Sequence, residues 1–216
     1  MVRHRFYTPA HLRAALRFTI ARLRHPEVEF EGFVFLGRQV ELTVRAGYGR
    51  LVIGAWTHLA DRVKLRAHEG TVRIGSKCVL GYDLTLNAYL DVEVGDATII
   101  GDHVYICDFD HRTEDVHRPI KDQGLVKSPV RIGADCWLGS RVTVLRGTDL
   151  GDGSVVAAHG VVRGSIPARS ICAGVPAVVV ANRDGRYADQ AALRAYVKGL
   201  GDHAAEQVRR LQRGEG

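Results

Sequence analysis

The sequence predicts a mainly β protein, a parallel β-helix wound from six-residue repeats, with a short helix at each end. Three observations carry that prediction. Aliphatic residues recur every six positions: Ile53, Leu59 and Leu65; Ile74, Leu80 and Leu86; Val94, Ile100 and Ile106; then Ile132, Leu138, Val144, Leu150, Val156 and Val162. Glycine often follows the aliphatic residue, at Gly54, Gly75, Gly81, Gly95, Gly101, Gly133, Gly139 and Gly151. A small or β-branched residue often stands four places after it, as at Thr57, Val63, Cys78, Thr98, Val104, Cys136, Val142, Thr148 and Ser154.

A period of six has a simple physical reading. Three repeats make one coil with three short flat faces, and one aliphatic side chain per repeat points inward. The residue near each corner must be small where the chain bends over the coil below, and glycine there relieves crowding and permits a positive φ. One coil cannot bury its own interior, so coils must stack. Each buried aliphatic then contributes roughly 1.5–3 kcal/mol before entropy is subtracted. Ile53, Ile74, Val94, Ile132 and Leu150 are expected to lie above one another, and Leu36 and Leu42 mark an earlier, degraded coil. The spacing does not set the hand of the helix; right-handed crossovers are the general rule for parallel strands.

The breaks in register come next. Short insertions fall near Glu69-Gly70-Thr71 and near Val92-Glu93, and a long charged loop runs over 112–131, directly after Asp108-Phe109-Asp110-His111. Long loops on a rigid scaffold are commonly functional. Residues 1–30 read as a helical extension, 31–180 as the β-helix, and 181–216 as a second helical extension. Thr8-Pro9 reads as a helix start. Leu12, Leu16, Ile20 and Leu23 at one end, and Leu193, Val197, Leu200, Ala204, Val208 and Leu211 at the other, repeat at helical spacing and read as docking faces, against the prism or another subunit.

Composition narrows the function. The net charge of +6 favours an anionic partner such as a phosphate-bearing ligand. No basic run interleaved with aromatics and no nucleic-acid-binding motif is present, so nucleic acid is not expected. No segment reaches the roughly 18 unbroken apolar residues of a membrane span. Arginines at 3, 5, 13, 17, 22 and 24 interrupt the N-terminus, against a signal peptide. Cys78, Cys107, Cys136 and Cys172 stand far apart without a CxxC pair, so neither a zinc site nor a disulfide framework is expected, and free thiols fit a cytoplasmic protein.

The chain resembles the hexapeptide-repeat acyltransferases, nearest the maltose and galactoside O-acetyltransferase branch. The resemblance covers roughly residues 50–180. It rests on the repeats, on His111 at the mouth of the loop, on Ser128-Pro129-Val130-Arg131-Ile132-Gly133-Ala134-Asp135-Cys136-Trp137-Leu138-Gly139, and on Ile166-Pro167 followed by Ala173-Gly174-Val175-Pro176-Ala177. It implies a left-handed helix, a homotrimer, active sites between neighbouring subunits, and acetyl-CoA or another acyl-CoA as co-substrate with a sugar or glycan hydroxyl as acceptor. No metal is expected.

His111 matches the family's loop histidine and is the expected base, a task suited to a group that titrates near neutral pH. Asp110 or Asp108 is a candidate to orient it, and Asn87 matches an asparagine of the family's acceptor pocket. Tyr89 and Asp91 beside it, and Lys121 and Gln123 in the loop, are acceptor-binding candidates. Trp137 matches a tryptophan near the cofactor. Gly139, Ser140, Ala158 and Gly160 fall on edges suited to pantetheine, where backbone donors stabilise a thioester oxyanion. Arg163 and Arg183 are candidates for the coenzyme A phosphates. No G-x-S-x-G nucleophile elbow is present, so direct transfer without an acyl-enzyme is expected. Two alternatives compete: a zinc carbonic anhydrase on the same scaffold, disfavoured because His111 and His117 are not spaced as H-x4-H, and a non-catalytic trimeric scaffold, disfavoured by the histidine and the loop.

Overall fold

A computed structural model describes residues 9–184. The chain winds into a left-handed parallel β-helix with three faces, here called A, B and C. Face A holds Val28–Phe30, Gly49–Ile53, Gly70–Ile74, Asp91–Val94, Val130–Ile132, Asp149–Leu150 and Ser165–Ile166. Face B runs from Phe35–Leu36 to Ser170–Gly174, and face C from Glu41–Val44 to Val161–Val162. The first strand, Val28–Phe30, lies before residue 31, so the degraded coil at Leu36 and Leu42 is a full turn of the prism.

The inward aliphatics stack as the period predicts. Ile53 pairs with Ile74, Ile74 with Val94, Val94 with Ile132, and Ile132 with Leu150. Leu65, Leu80, Leu86, Ile106, Leu138 and Val144 are wholly buried in the same core. The small residues four places on form a second buried column at the corner between faces A and B. Thr57 Oγ1 donates to the Gly75 carbonyl (2.7 Å) and accepts from the Cys78 N–H (3.1 Å). Thr98 repeats this with the Gly133 carbonyl (2.8 Å) and the Cys136 N–H (3.1 Å). Burial pushes the Cys78 thiol up to about 11, which suits a hydrophobic filler and not a nucleophile.

The glycines play one of the two roles expected. The glycine after each aliphatic does not take the positive φ. That conformation falls two residues later, on Trp56, Lys77, Asp83, Ala97, His103, Asp135, Arg141 and Gly153. The glycine is needed for close approach instead: a Cβ at Gly95 would stand 2.4 Å from the Ala134 nitrogen and 2.6 Å from the Gly133 carbonyl carbon. The left-handed corner residue turns its N–H onto the coil below, as Ala97 does to the Ser76 carbonyl (2.9 Å) and His103 to the Tyr82 carbonyl (2.8 Å). Corner carboxylates take the remaining N–H groups: Asp96 accepts from Ser76 (2.7 Å), Asp102 from Tyr82 (2.8 Å) and Asp152 from Ala134 (2.8 Å).

One helix, Pro9–Arg24, packs beside the first coil through Ala14, Phe18 and Ala21. Arg17 Nε donates to the Leu36 carbonyl (2.5 Å). The Leu12, Leu16, Ile20 and Leu23 stripe points away from the prism and is exposed, contrary to a docking face against this chain's own coils. At the other end, Ala177–Asn182 folds back antiparallel on Ser170–Gly174 and closes face B, so residues 181 and 182 belong to a strand and not to a helical extension. The helical pattern over 193–211 and the Thr8 cap lie outside the described residues. Among the described residues no helix is long and apolar enough to cross a membrane.

The two corner roles separate in one test. Gly95→Ala should cost about 1–3 kcal/mol or more, because the new methyl meets backbone of the next coil. Ala97→Gly, two residues away at an exposed left-handed position, should be neutral or stabilise by up to about 1 kcal/mol. Urea denaturation of both variants checks the ordering.

Candidate active site

All the register breaks fall on one edge of the prism, where face C passes to face A. The chain leaves face C after Tyr105–Cys107 and returns to face A at Val130–Ile132. Asp108 pins the exit. It is wholly buried, and its carboxylate accepts the N–H groups of Tyr89 (2.8 Å), Leu90 (2.7 Å) and Asp91 (2.7 Å) on the coil below. Its carbonyl accepts the Ser128 N–H (2.9 Å), which ties the exit of the insertion to its return. Charge-assisted bonds of this kind are stronger than neutral ones, so Asp108 serves the corner.

The insertion is more ordered than a plain loop. Phe109–His111 pairs antiparallel with Leu125–Lys127, with Asp110 opposite Val126 and His111 opposite Leu125. Gln123 stitches the tip: its amide nitrogen donates to the carbonyls of Asp115 (2.8 Å) and Arg118 (2.8 Å), and its oxygen accepts the Asp115 N–H (3.1 Å). That side chain is occupied within the insertion. Lys121 is exposed and ion-paired with Asp122 (2.7 Å).

His111 therefore sits on a paired strand, exposed to solvent, at the base of the hairpin. Its ring lies edge-on to Phe109 (6.4 Å), Phe109 is edge-on to Tyr89 (4.7 Å), and Tyr89 stacks on His68 (4.7 Å). Successive residues of a strand point to opposite sides. Asp110 accordingly faces away from the imidazole and accepts from Arg146 Nε at 2.6 Å. Neither Asp108 nor Asp110 orients His111 in this arrangement. Asp91 is held by Arg131, which also reaches Glu93 (3.3 Å).

Asn87 lies on the outer side of face C, opposite Cys107 in register, and donates to the Tyr105 hydroxyl at 3.3 Å. Burial raises both the Tyr105 hydroxyl and the Cys107 thiol above their ordinary values. The sequence reading passed over Tyr105. The available signal was its alternation with inward Ile106 on the strand that leads to His111.

The cofactor candidates occupy a different edge. Gly139, Ser140, Ala158 and Gly160 line the corner from face B to face C in two successive coils. The His159 N–H donates to the Ser140 carbonyl (3.0 Å), and a Cβ on Gly139 would stand 2.6 Å from the Ala158 nitrogen. Trp137 projects from face B, 54% exposed, in register with Ile99 and Val155. Arg163 is exposed on the edge that carries His111. Arg183 lies on the third edge, bonded to the Asp135 carboxylate (2.7 Å) and the Gly153 carbonyl (3.0 Å). Two clefts of about 540 and 480 Å³ lie beside the N-terminal helix and beside Arg183, and neither includes His111. Among the described residues no group of three or more His, Cys, Asp or Glu is placed to hold a metal ion.

A three-faced coil of six-residue repeats with a hairpin on one edge defines a hexapeptide-repeat protein, and comparison with known proteins agrees. The family described as "Hexapeptide repeat of succinyl-transferase" matches residues 129–162. A Mycobacterium tuberculosis protein named "Probable acetyltransferase Rv3034c" is 50% identical over 192 residues, 89% of this chain and 64% of the relative. The galactoside O-acetyltransferase of Escherichia coli is 30% identical over 125 residues, 56% of this chain and 60% of the relative. The chain thus spans less than two thirds of either relative. Among solved structures, a variant of AntD, an N-acyltransferase from Bacillus cereus bound to dTDP and coenzyme A, superposes with a TM-score of 0.64 at 15% identity, covering 84% of this chain and 95% of that one. That likeness shows the fold. The chain is thus similar in its repeats to the hexapeptide family and in sequence to proteins named as acetyltransferases.

Asp108 gives the test of how the site is held. Asp108→Ala strands three backbone N–H groups and should lower stability by about 3 kcal/mol or more. Amide exchange should then rise first at Tyr89–Asp91 and in the hairpin that carries His111. Unchanged protection there would show that the hairpin is held some other way.

Proposed function

We propose that the protein transfers an acetyl or other acyl group from coenzyme A to a hydroxyl of a sugar or glycan, with His111 as general base. The observation that carries this reading is the exposed imidazole on the paired strand of the hairpin, at the edge where the prism departs from its repeat. The galactoside O-acetyltransferase among the relatives supports a sugar hydroxyl as acceptor. The N-acyltransferase with the same fold was solved with coenzyme A, which supports the donor.

In the proposed step a ring nitrogen of His111 takes the acceptor's hydroxyl proton as the oxygen attacks the thioester carbonyl carbon. The charge that develops on the carbonyl oxygen is met at that corner by the N–H groups of Ser140 and Ala158, since those of Gly139 and Gly160 donate to the Val156 and Ala157 carbonyls. The C–S bond then breaks, and the imidazolium returns its proton to the departing thiolate. Asn87 and Tyr105, joined at 3.3 Å on the face leading to His111, offer a donor and an acceptor to a sugar hydroxyl. Trp137 and Arg163 remain candidates for the donor's adenine and phosphates.

Within one chain, His111 and the cofactor corner stand on different edges, with face C between them. We infer that the reaction site is completed between copies in a homotrimer. The outward column of Val79, Ile99 and Trp137 on face B, 42–54% exposed, supports such an association. His111→Ala should lower kcat by roughly 10²–10⁴ and leave coenzyme A affinity within about two-fold. Near-normal turnover of that variant with acetyl-CoA and a galactoside would remove His111 from the mechanism.

A further inference from the structure

The N-terminal helix has two apolar sides, and the prism uses only one. Ala14, Phe18 and Ala21 face the first coil. Leu12, Leu16, Ile20 and Leu23 form a continuous stripe on the opposite side, exposed to 67%, 61%, 39% and 77%. Large aliphatics left open in a row at i, i+4, i+8 and i+11 are not the scattered exposure that any surface shows.

The charges around that stripe select its partner. The helix carries Arg13, Arg17, Arg22 and Arg24 and no acidic residue. At helical spacing, Arg13 and Arg24 fall along one margin of the stripe and Arg22 along the other. All three are exposed, whereas Arg17 turns inward to the Leu36 carbonyl. A leucine stripe bounded on both sides by arginines, on a helix about 24 Å long, is the pattern of a segment lying in the plane of a lipid interface, where aliphatics enter the acyl boundary and guanidiniums remain among the headgroups. A second copy of the same helix would instead set arginine margins against arginine margins, with no carboxylate between them.

We propose that the exposed face of Pro9–Arg24 docks the protein on an anionic phospholipid surface. The helix lies flat on that surface and the prism stands beside it in water. The proposal is independent of the acyl-transfer reading, because it concerns a surface that shares no residue with His111 or the cofactor corner.

Co-sedimentation of the full chain with vesicles tests it, with no acyl donor or acceptor present. The protein should pellet with mixed phosphatidylglycerol and phosphatidylcholine vesicles and stay in solution with phosphatidylcholine alone. Leu16→Gln/Leu23→Gln should weaken the partition at least roughly ten-fold. Arg13→Gln/Arg22→Gln/Arg24→Gln should weaken it about a hundred-fold, at roughly five-fold per arginine. Both variants should keep the wild-type melting temperature and molecular mass, because the altered side chains face solvent. The proposal is overturned by failure of the wild-type chain to pellet with the anionic vesicles, or by partition indifferent to the leucine changes. It is overturned equally by a leucine variant that changes its mass or unfolds, which would show the stripe buried between copies or within the molecule.

Discussion

Everything in this molecule depends on how closely one coil can lie on the next at its corners. Strands in register stand roughly 4.8 Å apart, and at that spacing a Cβ on the corner glycine would overlap backbone of the coil above. Leaving it out lets the corner N–H groups reach carbonyls and carboxylates one coil away. Many of the N–H groups at the bends are thereby bonded within the stack, and no buried side-chain nitrogen or oxygen among the described residues lacks a partner. The cost is a left-handed backbone two residues later, carried by residues as large as Trp56 and Arg141. Arg141 is exposed, and Trp56 is half exposed with its ring against Phe33 and Phe35.

Such a scaffold is uniform along its axis, so function must come from where uniformity fails. Two edges keep the six-residue register, and the third absorbs every insertion. Asp108 makes the largest insertion compatible with the stack by serving as an acceptor for three N–H groups at once. The hairpin above it presents His111 on paired backbone, and the His68, Tyr89 and Phe109 rings continue down the same edge. A rigid base for an exposed imidazole thus follows from the same corner bonding that holds the coils.

The fold was legible because the inward positions are selected by burial alone, and Ile53, Ile74, Val94 and Ile132 have no other task. The hand of the helix was not, since six-residue spacing is the same in either hand; it came through resemblance. The glycines were read for both crowding and φ; after the aliphatics only the steric constraint holds, and it lies in another coil, some twenty residues away in sequence. Asp110 was a reasonable partner for His111 by adjacency, but strand alternation sends it to Arg146, 36 residues further on. Of the two partners the helical stripe allowed, the prism is excluded, because small Ala14 and Ala21 take that side and leave the leucines outward. Arg183 was marked for phosphate by its position after the Ala-Gly-Val-Pro segment, while its guanidinium closes the last corner on Asp135.

The central claim is that the reacting groups stand on separate edges and come together only between copies. Mixing two inactive variants tests it most directly. His111→Ala removes the base, and Ala158→Trp blocks the exposed cofactor corner while leaving the core untouched. Refolded separately, neither should transfer acetyl from acetyl-CoA to a galactoside. Refolded together, the mixed assemblies should regain part of the wild-type rate, because some sites then combine an intact His111 from one copy with an intact corner from another. Mixed assemblies that form but stay inactive, or a wild-type monomer that turns over at full rate, would contradict a site divided between copies.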